Sequence, residues 1–196
     1  MELRLALLGC GNVGRAFVAM AAAKDAELRA RYGVQPRFTG GLTRSAPGWI
    51  APDGIAASDL LASGWPASGT IPPGAIAFGA ADGSAVGARF AATCPADVLI
   101  ELTPLDPLIG EPATGHVRAA LAAGRQVVTA NKGPIAHAYR ELRALARERG
   151  VALRFESTVL DGTPIFNLAE FSLPATRVDG FRGPLNSTSN FVLGAM

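Results

Sequence analysis

Apolar residues along the chain fall into short continuous blocks that alternate with longer, periodically apolar stretches. Leu3 to Leu8 is an almost unbroken apolar run, the pattern of a strand covered on both faces. A glycine turn follows, and then an Ala-rich segment predicts a helix running to about Arg31. The alternation continues with a strand from Arg37 to Leu42, a helix around Ala85 to Thr93 and a strand from Asp97 to Leu102. A helix from Glu111 to Ala123, stopped by Gly124, leads into the strand Val127 to Ala130. Pro134 suits the first position of the next helix, whose apolar stripe is Ile135, Tyr139, Leu142, Leu145 and Ala146. Arg140, Arg143, Arg147 and Arg149 lie off that stripe as a solvated face; Gly150 ends the helix and Val151 to Phe155 forms a further strand. Residues 46–74, rich in Gly, Pro and Ser, read as an elaborated surface connection with a short helical patch near Ser58 to Ala62 and no chemistry. Strands alternating with helices predict an α/β fold, a doubly wound Rossmann-type parallel sheet over residues 1–155.

Past Glu156 the pattern changes. A polar turn from Glu156 to Pro164 precedes a helix from Ile165 to Phe171 and a strand from Arg177 to Arg182. A Ser- and Thr-rich junction then leads into the apolar start Phe191-Val192-Leu193. Hydroxyls at such a junction either hold a carboxylate or cap the helix.

Composition narrows the function classes. With 49% hydrophobic and 17% charged residues the chain is not a disordered segment. The net charge of +2 comes from scattered arginines with no basic run, which argues against a nucleic-acid partner. No apolar stretch approaches the roughly 18 to 20 residues of a membrane span. Cys10 and Cys94 have no metal-ligand spacing and point to a reducing, cytoplasmic setting. Leu7-Leu8-Gly9-Cys10 imitates a lipoprotein processing site, but its apolar part is too short and Glu2 stands where a basic flank belongs.

Chemistry concentrates in the turns after the predicted strands. Gly9-Cys10-Gly11-Asn12-Val13-Gly14 matches G-x-G-x-x-G between a strand and a helix, the context of a dinucleotide site. Gly9 permits the tight turn, Gly11 admits the pyrophosphate, Gly14 lets helix and strand pack, and the N–H groups of the Asn12–Val13 turn face the phosphates. The next strand ends in Thr43-Arg44-Ser45 without an acidic residue for a ribose diol. Arg44 suits a 2′-phosphate, so NADP is expected, with NAD as the alternative. Thr103 and Pro104 end another strand and can meet the nicotinamide half. Lys132 is one of only two lysines; the other, Lys24, lies in the first helix. Between a strand and a helix, its ammonium can hold a carboxylate or polarise a carbonyl, which makes it the candidate catalytic residue. His116 reads as a solvated or capped histidine and His137 as incidental.

These residues resemble homoserine dehydrogenase. The signs are Gly9 to Gly14, Glu101-Leu102-Thr103-Pro104, Thr129-Ala130-Asn131-Lys132-Gly133-Pro134, Glu156 to Pro164, and Leu185 to Phe191, in the family's order over nearly the whole chain. The resemblance implies NAD(P)H-dependent interconversion of L-aspartate 4-semialdehyde and L-homoserine, feeding threonine and methionine synthesis. It implies cofactor and substrate contacts for Lys132, a nicotinamide-side contact for Thr103 and a substrate contact for Thr188. It also implies a sodium ion held by main-chain oxygens of Glu156, Val159, Asp161 and Thr163, sensible donors for a hard cation. Ser187 stands where the family usually has glycine. Family members continue past the equivalent of Met196 through acidic residues that grip the substrate amine and a second lysine taken as proton donor. The chain is therefore expected to be a cofactor domain (1–155) plus the start of an α+β catalytic and dimerisation domain (156–196), homodimeric when that domain is whole. Two function classes follow: an oxidoreductase acting on this small-molecule substrate, or a non-catalytic NADP-binding module.

Overall fold

The computed structural model describes residues 1–79, 83–160, 162–183 and 186–196, with the backbone alone at 83–84 and 187–189. Its strands are β1 (Glu2–Leu8), β2 (Gln35–Leu42), β3 (Gly48–Ile55), β4 (Ile76–Phe78), β5 (Val98–Glu101), β6 (Gln126–Thr129) and β7 (Leu153–Arg154). They form one seven-stranded sheet in the order β4-β3-β2-β1-β5-β6-β7. β1 pairs in parallel with β2 and with β5, and β5-β6 and β6-β7 are parallel as well. The helices are α1 (Asn12–Ala23), α2 (Asp25–Tyr32), α3 (Ala57–Ala62), α4 (Gly83–Thr93), α5 (Ala113–Ala122), α6 (Lys132–Arg149), α7 (Ile165–Asn167) and α8 (Ser187–Ala195).

Period-2 alternation in β1 splits the core in two. Leu5 and Leu7 point to one face, where Val18 and Ala21 of α1 and Leu60 of α3 pack with Phe38 and Trp49. Ala6 and Leu8 point to the other, where Phe90 of α4, Val117 and Leu121 of α5 and Leu142 of α6 close a second layer. Helices thus cover opposite faces on the two sides of β1, which is what doubly wound means. Over β6 the first face has no α-helix among the described residues. Val128 is accordingly 41% exposed while Val127 is fully buried, so this strand is covered on one face, not two as its apolar run suggests.

Four further expectations need correction. β3 and β4 lie inside the stretch read as a surface connection and run antiparallel, so the sheet is mixed, not wholly parallel. Trp49 is what builds β3: it is fully buried, edge-on to Trp65 at 5.6 Å between ring centroids. The first helix breaks at Lys24 (φ −100°, ψ 5°), and α2 then closes on left-handed Gly33. α6 begins at Lys132 rather than Pro134, because the Asn131 side chain caps it. Residues 177–182 form no strand; they are exposed, and no described strand lies beside them to supply a ladder.

His116 is not solvated. It is 4% exposed, its Nδ1 has no hydrogen-bond partner, and burial pulls its pKa down to about 4. α4 carries glycine opposite it: a Cβ on Gly87 would sit 2.1 Å from His116 Nε2.

Candidate functional site

The sheet register gathers the expected site residues along one edge. Leu8 pairs with Leu42 on one side and with Glu101 on the other, and Glu101 pairs with Thr129. This row marks the carboxyl ends of four parallel strands. Directly after it come the glycine loop, Arg44, Thr103 and Lys132. β1 is flanked by the strand that follows it (β2) and by one from later in the chain (β5), so the crevice opens at a topological switch point.

The glycine loop is held by the sheet and open to the crevice. Gly9 N–H donates to Leu42 O at 2.8 Å, and Leu102 N–H donates to Leu8 O at 2.7 Å. Gly9 has φ +93°, and a Cβ there would lie 2.5 Å from Leu102 O, so both the turn and the neighbouring backbone exclude a side chain. A Cβ on Gly11 would meet nothing within 4 Å. Protein packing does not require glycine at 11, and the space beside it is open. Gly14 packs against the loop itself, with a Cβ position 2.9 Å from Gly9 O, not against the strand. α1 starts without a side-chain cap and without an acidic residue in its first turn, and Asn12 and Val13 are exposed. Its first N–H groups and positive dipole end are thus offered to an anion.

At the end of β2, Thr43 Oγ1 accepts N–H bonds from Ser45 and Ala46, both at 3.1 Å, and shapes the turn. Arg44 is exposed there. On the opposite side, Asn131 accepts from Gly133 N–H through Oδ1 at 3.0 Å and donates through Nδ2 to Thr103 O at 2.9 Å. Lys132 is exposed at the first position of α6, and Pro104 is exposed beside Thr103. A cation at a helix N-terminus opposes the dipole, an arrangement that an anionic ligand would offset. Lys24, by contrast, is engaged with Glu27 at 2.9 Å, away from this edge.

Glu101 was not among the expected site residues. It is fully buried, and its carboxylate accepts from Thr129 Oγ1 at 2.7 Å, from Thr103 N–H at 2.8 Å and from the Thr103 hydroxyl. Burial pushes its pKa up, against the pull of the hydrogen bonds from Thr103 and Thr129. Its sequence signals were its place at the end of an apolar strand, two residues before a Thr, and its place in the Glu101-Leu102-Thr103-Pro104 motif.

Glu156 caps the start of α7 by accepting from Phe166 and Asn167 N–H at 2.9 and 3.0 Å. Thr163 O accepts from Ile165 N–H at 2.8 Å. Asp161 lies outside the described residues; the main-chain oxygens of Glu156, Val159 and Thr163 are donors of the kind a hard cation takes. The backbone of Thr188 is in α8, and its side chain lies outside the description. No helix among the described residues is long and apolar enough to cross a membrane.

Comparison with known proteins agrees with this geometry. Residues 72–156 match the family model "Homoserine dehydrogenase, NAD binding domain". The NAD(+)-dependent homoserine dehydrogenase of Pseudomonas canavaninivorans is 37% identical over the whole chain, which spans 54% of that relative's length. A hyperthermophilic archaeal homoserine dehydrogenase in complex with NADPH superposes with a TM-score of 0.68 at 25% identity, over 86% of this chain and 48% of that one. The homoserine dehydrogenase of Thiobacillus denitrificans gives 0.69 at 27% identity, over 98% of this chain and 38% of that one. In sequence and in fold, the chain is similar to the N-terminal part of homoserine dehydrogenases, with their NAD-binding domain matched over residues 72–156.

Proposed function

We propose that the chain forms the cofactor-binding half of an NAD(P)H-dependent oxidoreductase that interconverts L-aspartate 4-semialdehyde and L-homoserine, with NADP as the preferred cofactor. The observation that carries this reading is the crevice itself. An uncapped helix N-terminus and the open space at Gly11 face it from β1, and Lys132 stands at its other side on α6. Gly9, Gly11, Asn12, Val13 and Gly14 cradle the pyrophosphate, Arg44 receives a 2′-phosphate, and Thr103 and Pro104 border the nicotinamide half.

Bound NAD(P)H supplies the hydride that reduces the aldehyde carbon. Lys132 then has two tasks: its ammonium orients the small, carboxylate-bearing substrate, and it stabilises negative charge developing on the carbonyl oxygen. Thr188 adds a hydroxyl for the substrate from the unit that begins at 156. The Glu156–Thr163 turn is the proposed sodium site, and no step of the hydride chemistry passes through it.

The test is NADPH oxidation by aspartate semialdehyde in the protein carrying this chain. Lys132→Ala is expected to lower kcat/KM by about 10²-fold or more, as loss of one charge-stabilising group does, with the fold retained. Undiminished turnover in that variant would contradict the role given to Lys132. NADPH binding without turnover in the parent protein would favour a non-catalytic cofactor module.

A further inference from the structure

The row of residues that ends the parallel strands is leucine in β1 and β2 but Glu101 and Thr129 in β5 and β6. A fully buried carboxylate is costly to place in a sheet unless its partners are complete. Here they form a closed circuit. Asn131 N–H donates to Thr129 Oγ1 at 3.0 Å, and Thr129 Oγ1 donates to Glu101 Oε2 at 2.7 Å. Thr103 N–H donates to Glu101 Oε1 at 2.8 Å, its hydroxyl donates to the same oxygen, and Asn131 Nδ2 returns to Thr103 O at 2.9 Å. The circuit ties the loop after β5 to the N-terminus of α6, where Lys132 is the next residue.

We infer that Glu101 is a positioning residue for the nicotinamide half of the cofactor: it fixes Thr103 and the Lys132 end of α6 relative to each other. The inference rests on the dinucleotide reading above. Arg44 at the end of β2 marks the adenosine side of the crevice, which leaves the β5–β6 side to the nicotinamide. Because the Thr103 hydroxyl spends its proton on Glu101, it meets a ligand through its lone pairs. That polarity suits the N–H donors of a carboxamide. The Thr129 hydroxyl is oriented the same way, accepting from Asn131 while donating to Glu101, so the start of α6 has one hydrogen-bonded position.

Glu101→Gln keeps the shape and reverses one contact. Thr103 N–H can only donate, so the amide oxygen must face it. The amide NH2 then meets Thr129 Oγ1, whose proton loses its acceptor while it still accepts from Asn131. The circuit keeps its connections but loses its charged acceptor on the α6 side, and the Thr129 proton is left without Glu101.

The experiment is titration calorimetry of the protein with two probes, NADPH and 2′,5′-ADP, which lacks the nicotinamide. The fluorescence of bound NADPH is followed in parallel. Glu101→Gln is expected to weaken NADPH about tenfold, the order expected for one charged hydrogen bond, and to diminish the bound-state fluorescence change. Its affinity for 2′,5′-ADP stays at the parent value. Thr129→Val, which breaks the bridge between Glu101 and Asn131 while leaving Glu101 and Thr103 in place, should shift NADPH in the same direction, and it decides the matter if Glu101→Gln does not fold. Equal losses for both probes would show a merely structural residue and overturn the inference, as would unchanged NADPH affinity and fluorescence. If the parent protein binds neither probe, the dinucleotide reading fails and the role of Glu101 falls with it.

Discussion

Arg44 stands exposed after β2 and makes no hydrogen bond or ion pair with the described residues, while Thr43 alone shapes its turn. An arginine that the fold does not use is available to a ligand, and a 2′-phosphate is the ligand its place suggests. The relative at 37% identity is named as NAD(+)-dependent, so the preference must be decided by residues of this chain. Tighter binding of NADPH than NADH is expected, with Arg44→Ala narrowing the ratio mainly by weakening NADPH. Titration of both cofactors against both proteins checks this; equal affinities, unchanged in the variant, would remove Arg44 from the site. At this scale the sequence was most informative where a residue type is rare or its spacing specific, as for Lys132 and the glycine hexapeptide. Glu101 was named only as part of a motif, and its role went unread because a carboxylate at the end of a strand looks solvated until the neighbouring threonines are placed around it.

Among the elements, the α4–α5 contact makes the clearest prediction. Gly87 lets the helices approach over His116, whose buried imidazole is held neutral. Folded His116 binds its proton near pH 4, whereas the unfolded chain binds it near 6.5. The unfolded state therefore takes up the proton first as pH falls. Stability drops from about pH 6.5 down to about pH 4, by up to about 3 kcal/mol from this group. His116→Leu is expected to flatten the fall in Tm over that window. Parallel Tm profiles for parent and variant would contradict the assignment. The same contact shows why His116 was misread: its helical spacing was legible, but the glycine that makes room for it lies on another helix. β3 was hidden in a similar way. Pro52 and Gly54 interrupt its pattern, and the strand depends on Trp49 packing against Trp65, a contact within a stretch whose Gly, Pro and Ser content reads as loop.

For the whole molecule, the alternation of strands and helices was enough to define the doubly wound sheet, because each βαβ step is local in sequence. That topology then brings the glycine loop, Arg44, Thr103 and Lys132 to one edge without any of them being close in sequence. The division at residue 155 and the features beyond it were read mainly from resemblance. Glu156 capping α7 and the exposed course of 177–182 show how little periodicity constrains that part.

A nicotinamide dinucleotide bound at this edge would lay its pyrophosphate over Gly11, so a single substitution there decides whether the crevice holds it. A Cβ at Gly11 meets nothing within 4 Å, so Gly11→Val should fold as the parent does, while its side chain fills the space assigned to the pyrophosphate. Titration calorimetry with NADPH should show saturable binding by the parent and none by Gly11→Val, with the two proteins unfolding at similar temperatures. NADPH binding of parental affinity in Gly11→Val would contradict the account.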